Sequence, residues 1–128
     1  MPFTYHIDVH HQMLFVVDTG VVTQGERLEI MRTWLNDPAH RPGLNTFADF
    51  SAATSTPTLP ELEEIVAVMR QHAAAIGRKK LAMLAPQPDT FGVARQFRSL
   101  VGSDLVQVEV FRERDAAMNW LELARPAL

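Results

Sequence analysis

Apolar positions in this chain switch between a period of two and a period of three to four, and each switch marks an element. From Thr4 to His10, Tyr5, Ile7 and Val9 alternate with Thr4, His6 and Asp8, the pattern of a half-exposed strand at a sheet edge. Met13 to Val17 is apolar without a break and holds two β-branched residues, as a central strand buried on both faces requires. His10-His11-Gln12 between them is the expected hairpin turn. Thr23-Gln24-Gly25-Glu26 then has the spacing of a capping box, in which hydroxyl and carboxylate each satisfy an orphaned backbone donor. Leu28, Met31 and Leu35 continue that helix, and Pro38 with Pro42-Gly43 ends it before a short third strand over Asn45 to Phe50.

A polar loop from Ser51 to Pro57 leads to a second capping-box spacing, Thr58-Leu59-Pro60-Glu61, with proline in the first turn. Leu62, Ile65, Val66, Met69, Ala73 and Ile76 predict one continuous helix behind it, closed by Gly77 and by Arg78-Lys79-Lys80, cations that suit a helix C-terminus better than a nucleic-acid patch. Leu81 to Ala85 is the fourth strand. Pro86 and Pro88 mark a turn, Asp89 is the expected cap, and Ala94, Phe97 and Val101 form the stripe of a third helix ending at Gly102. Leu105 to Phe111 alternates again and predicts another edge strand. Ala117, Trp120, Leu121 and Ala124 give the last helix its inner face, with Arg125-Pro126 as its stop.

The resulting order, ββαβαβαβα, predicts an α/β fold: a single-layer, mixed, mostly parallel five-stranded sheet with four helices, the first strand antiparallel and the strands in roughly sequential order. The 128 residues suit one domain, 1–128, and no repeat or linker divides them. Twelve basic against fifteen acidic residues provide no field that would draw the whole chain to nucleic acid. No signal-like start or membrane-length apolar run is present, so no membrane insertion is expected and the expected address is the cytoplasm. With no cysteine, thiolate chemistry and sulfur-based zinc sites are excluded.

Four stretches carry a resemblance: Lys80-Leu81-Ala82-Met83-Leu84-Ala85, Phe91-Gly92-Val93-Ala94-Arg95, Val110-Phe111-Arg112, and Ala116-Ala117-Met118-Asn119-Trp120-Leu121. They resemble the SpoIIAA-like family of small STAS-type domains, related in fold to anti-sigma factor antagonists and to lipid-binding Sec14 domains. The hairpin start and Asp49-Phe50-Ser51 extend the likeness over nearly the whole chain. The resemblance implies a binding or regulatory module built around recognition at a loop-and-helix edge. Phosphorylatable antagonists carry an Asp-Ser-Ser-Gly type sequence after the third strand. This chain has Thr54-Ser55-Thr56-Pro57 in that region, so no phospho-switch carries over.

Ligands of open α/β sheets bind beyond the carboxyl ends of the parallel strands, which singles out Asp49, Ser51, Thr54 and Ser55 after the third strand and Phe91 and Arg95 after the fourth. Hydroxyls and a helix N-terminus suit an anion, and Phe91 adds an apolar contact. The ordinary role of such Ser, Thr and Asp residues is to shape a turn and cap a helix, and an arginine one turn into a helix is ordinarily solvated. Five histidines, His6, His10, His11, His40 and His72, show no metal-ligand spacing. No nucleophile elbow, phosphate loop or dinucleotide fingerprint is present, so no catalytic residue, metal or cofactor is assigned.

These readings predict binding without turnover, to a protein partner or to a small anionic or amphipathic ligand. A Sec14-like carrier of lipid or small molecules, and an enzyme acting at the Asp49 and Arg95 rim, are the alternatives. A homodimer is also expected: helices gathered on one side would leave the other face of strands two and four bare, with Met13, Phe15, Leu81 and Met83 or their opposite-phase neighbours at the contact.

Overall fold

The chain opens with an antiparallel hairpin of β1 (Phe3–Asp8) and β2 (Met13–Asp18), seen in a computed structural model that describes residues 2–122. β1 is shorter than its alternation suggests, because Val9 and His10 belong to the turn, where Val9 stands 66% exposed. Gln12 takes a positive φ of 52° and donates its amide to the Val9 carbonyl at 3.3 Å, while Asp8 accepts from the His11 amide at 3.0 Å.

Both predicted capping boxes form. In α1 (Gln24–Leu35) the Glu26 amide donates to Thr23 Oγ1 and the Thr23 amide to Glu26 Oε1. Thr58 and Glu61 repeat the exchange at α2 (Leu59–Gln71), which follows β3 (Asn45–Asp49). The helix predicted to run on to Ile76 is instead two elements, which makes five helices among the described residues rather than four. His72 leaves helical dihedrals, with φ −111° and ψ 23°, and one further turn, α3 (Ala73–Ile76), buries Ile76. Gly77 explains the offset: it sits at φ 71°, and a Cβ there would lie 2.6 Å from the Gly43 nitrogen. The Gly43 amide donates to the Ile76 carbonyl at 2.8 Å, tying α3 to the loop ahead of β3.

β4 (Lys80–Leu84), α4 (Pro88–Val101), β5 (Gln107–Phe111) and α5 (Arg114–Glu122) complete the order. Two expectations change here. Asp89 lies inside the first turn of α4, whose N-cap is Gln87. Arg78-Lys79-Lys80 does not supply the last turn of a helix; it leads from Gly77 into β4. Ala124 and Arg125-Pro126, read as the end of the last helix, lie outside the described residues.

The sheet order is β1-β2-β3-β4-β5, antiparallel at the first pair and parallel thereafter, which puts the two alternating strands at the edges as their sequence predicts. Cross-strand partners share a face. Tyr5, Val16, Ala48, Met83 and Val110 form one row, and His6, Phe15, Phe47, Ala82 and Glu109 form its opposite-face neighbour. The first face carries the larger core, where Leu14, Trp34, Met69 and Phe97 join the sheet to α1, α2 and α4. The second face is packed by α5, whose Ala117 and Leu121 meet Met13, Phe47, Ala82 and Leu84.

That arrangement corrects the expected dimer surface. Met13 and Phe15 point toward the α5 side, Leu81 and Met83 toward the other helices, so the four share no face. α5 also covers β3, β4 and β5, where a bare surface was expected. Phe15 remains half-buried beside β1, with the His6 ring stacked at 6.4 Å. Among the described residues, no helix is long and apolar enough to cross a membrane.

Candidate functional site

The six residues singled out at the carboxyl edge fall into three groups. Asp49 closes β3 on the α5 face and is almost fully buried. It accepts from the Ser51 amide at 2.9 Å, the Ser51 hydroxyl at 2.5 Å and Arg114 of α5 at 2.6 Å. Burial works to raise the Asp49 pKa, and the Ser51 bonds with the Arg114 guanidinium outweigh it, holding the carboxyl below its usual value. Arg114 also lies 5.1 Å from the Phe47 ring centroid. The cation at Asp49 is thus Arg114 and not Arg95. Arg95 rises from α4 on the opposite face of the sheet and does not pair with Asp49.

Thr54 and Ser55 instead strap two loops together. The Thr54 amide donates to the Gly20 carbonyl at 3.2 Å, and Ser55 Oγ accepts from the Val22 amide at 3.0 Å. Phe91 and Arg95 form the third group with a residue the sequence reading did not single out, Arg112: its guanidinium carbon stands 4.2 Å from the Phe91 centroid, and that of Arg95 stands at 5.9 Å. The histidines do not gather at one site. His6 stacks on Phe15, His10 meets the His11 ring edge-on at 5.1 Å, His11 pairs with Asp8, His40 Nε2 donates to the Ala75 carbonyl and His72 bonds the end of α2. Among the described residues no cluster of His, Asp or Glu fit to hold a metal is present.

An apolar concavity lies elsewhere, between the first sheet face and α1, α2 and α4. It has a volume of about 180 Å³ and walls that are apolar almost throughout, among them Val16, Met31, Trp34, Ala48, Met83 and Phe97. A cavity of about 150 Å³ with such walls stays dry and admits a benzene-sized guest. Leu14 and Asp18 both line it, and between those two residues β2 climbs about 13 Å at the usual rise of a strand. Ser55, Thr56 and Pro57 sit at its upper end, so one of the six predicted residues does belong to this space.

Polar groups mark both ends. At the upper end Asp18 is 4% exposed, and burial raises its pKa against the Gly20 amide it accepts and the nearby Arg27 charge. Arg27 is itself only 11% exposed along its side chain and lies 3.9 Å from Glu61. At the lower end Lys79 directs its ammonium inward. Nζ donates to Thr46 Oγ1 at 2.9 Å and sits 4.6 Å above the Trp34 ring centroid. The residue as a whole is half-buried, but the nitrogen is enclosed, and that desolvation pulls its pKa down from 10.5 to about 7. Neither Asp18 nor Lys79 carries a motif that sequence reading would find: the first ends a strand, and the second hides in a basic run.

A scan against protein-family models finds no match for this chain, and a search of curated proteins finds none.

Proposed function

We propose that this chain is a non-enzymatic binding module that takes a small amphipathic ligand into the apolar cavity between its sheet and helices, as a carrier or sensor. The apolar cavity, with polar groups only at its ends, is the observation that carries the reading. Sequential strand order with an antiparallel first strand supports the likeness to SpoIIAA-like and Sec14-type domains drawn from the sequence motifs. Trp34 lines the cavity and Trp120 packs against Phe111 on the other face, so Trp120→Phe leaves a single reporter of occupancy. Titration of that variant with octan-1-ol should change Trp34 emission saturably, with one alcohol bound per chain in native mass spectrometry. A linear, non-saturating response would remove the reading.

A second reading, recognition of an acidic protein partner at the carboxyl edge, is supported by the two guanidiniums near the Phe91 ring, those of Arg95 and Arg112. Planar cations beside an aromatic ring suit carboxylate or phosphate groups with an apolar neighbour. If a partner is isolated by pull-down, Arg95→Ala with Arg112→Ala should weaken it at least tenfold with no change in Tm. Equal affinity for the double variant rules the edge out as the contact.

A further inference from the structure

Among the described residues, Lys79 is the one cavity-lining charge with no counter-charge beside it. Arg27 has Glu61 at 3.9 Å and Asp18 nearby, and Asp18 has Arg27 and the Gly20 amide. Among the described residues no carboxylate lies within 4.0 Å of Lys79. A lysine ammonium has three N–H donors, and one of them is used, on Thr46 Oγ1. Thr46 supplies no negative charge, since its hydroxyl is neutral, and it donates onward to the Leu44 carbonyl at 3.1 Å. The Trp34 face offers the cation its quadrupole, a weaker partner than a carboxylate. Enclosing an ammonium without a counter-ion is costly, and the fold retains that arrangement at the end of an otherwise apolar space.

From this geometry we infer that the cavity selects a medium-length straight-chain monocarboxylate, its carboxylate paired with Lys79 and its chain running up the sheet toward Asp18. The inference rests on the cavity reading above and adds the ligand's charge and direction. Orientation follows from the two ends: Asp18 would repel a second carboxylate, whereas Lys79 has two donors free for one. Length follows from the span between the levels of Leu14 and Asp18, and bulk from the volume of about 180 Å³. A lysine whose pKa has fallen to about 7 also makes binding respond to pH, because the carboxylate needs the protonated amine. The other charged groups lining this space are Asp18 and Arg27, both at the far end; His40 packs on the same Trp34 ring at 5.4 Å.

The test compares matched pairs, octanoate with octan-1-ol and decanoate with decan-1-ol, by Trp34 emission in the Trp120→Phe background. At pH 6.5 the carboxylates should bind at least tenfold more tightly than the alcohols. Lys79→Met should abolish that preference, bringing the acid and alcohol affinities within about twofold of each other. Carboxylate affinity should fall about tenfold per pH unit above pH 7 in the parent protein and stay flat in Lys79→Met. Equal affinity for acid and alcohol, or a preference that survives Lys79→Met, overturns the inference while leaving the cavity reading standing. Failure of all four compounds to bind overturns both.

Discussion

Lys79 gives the residue scale its clearest energetic consequence. Its pKa in the folded protein is about 7, against 10.5 when the chain is unfolded, so between those values the unfolded state binds more protons. Stability therefore rises with pH across that window, by up to about 1.4 kcal/mol per pH unit from this group, and is lowest below pH 7 where the enclosed ammonium is charged. Lys79→Met should raise stability in urea at pH 7 and flatten its rise toward pH 9. A variant that is less stable at pH 7 would show that the Trp34 and Thr46 contacts outweigh desolvation. The sequence could not disclose any of this, because Lys79 stands between Arg78 and Lys80 and reads as part of a solvated run. Only the turn after Gly77, which brings the chain back under α1, aims its nitrogen inward. Asp49 shows the same limit from the other side. Its place at a strand end beside Ser51 was readable, but its cation was not, since Arg114 reaches it from a helix on the face where no helix was expected.

At the scale of elements, local chemistry translated well wherever a short-range bond specifies it. The two Thr-x-x-Glu spacings close two capping boxes because donor and acceptor lie within one turn and need nothing from the rest of the molecule. Ala94, Phe97 and Val101 face inward for a similarly local reason, the helical period itself. The break at His72 was not readable in that way. Ala73 to Ile76 keep the apolar spacing of α2, and three alanines in that stretch favour helix on either side of the break. What divides them is tertiary: Gly77 packs against Gly43 so closely that only a residue without a side chain fits, and Ile76 must reach the core from that anchor. The divided helix also places Ile76 in the cavity wall, so the unexpected element helps shape the proposed site.

The described residues form two apolar layers of unequal size, one on each face of the sheet, and among them α5 is the helix that covers the smaller. Its interior members Ala117 and Leu121 are fully buried against Phe47, Ala82 and Leu84. The lysine at the start of β4 joins that layer too, with Lys80 Nζ 4.6 Å above the Trp120 ring, which lies 5.7 Å from Phe111. Leu121→Ala removes the one large α5 side chain that is fully enclosed, and deletions of this kind cost about 2–5 kcal/mol when the cavity left behind cannot collapse. A loosened α5 would uncover Phe47 and Leu84 next to the already half-buried Phe15, creating the broad apolar patch that the helix normally prevents. Leu121→Ala should therefore lower the urea midpoint and make the chain self-associate in light scattering at concentrations where the parent protein does not. Octan-1-ol binding should persist at sub-denaturing conditions, because Trp34 and the cavity walls lie across the sheet from α5. Loss of alcohol binding without unfolding would mean that the two layers are coupled through β3 and β4, and that the cavity is held open partly from behind.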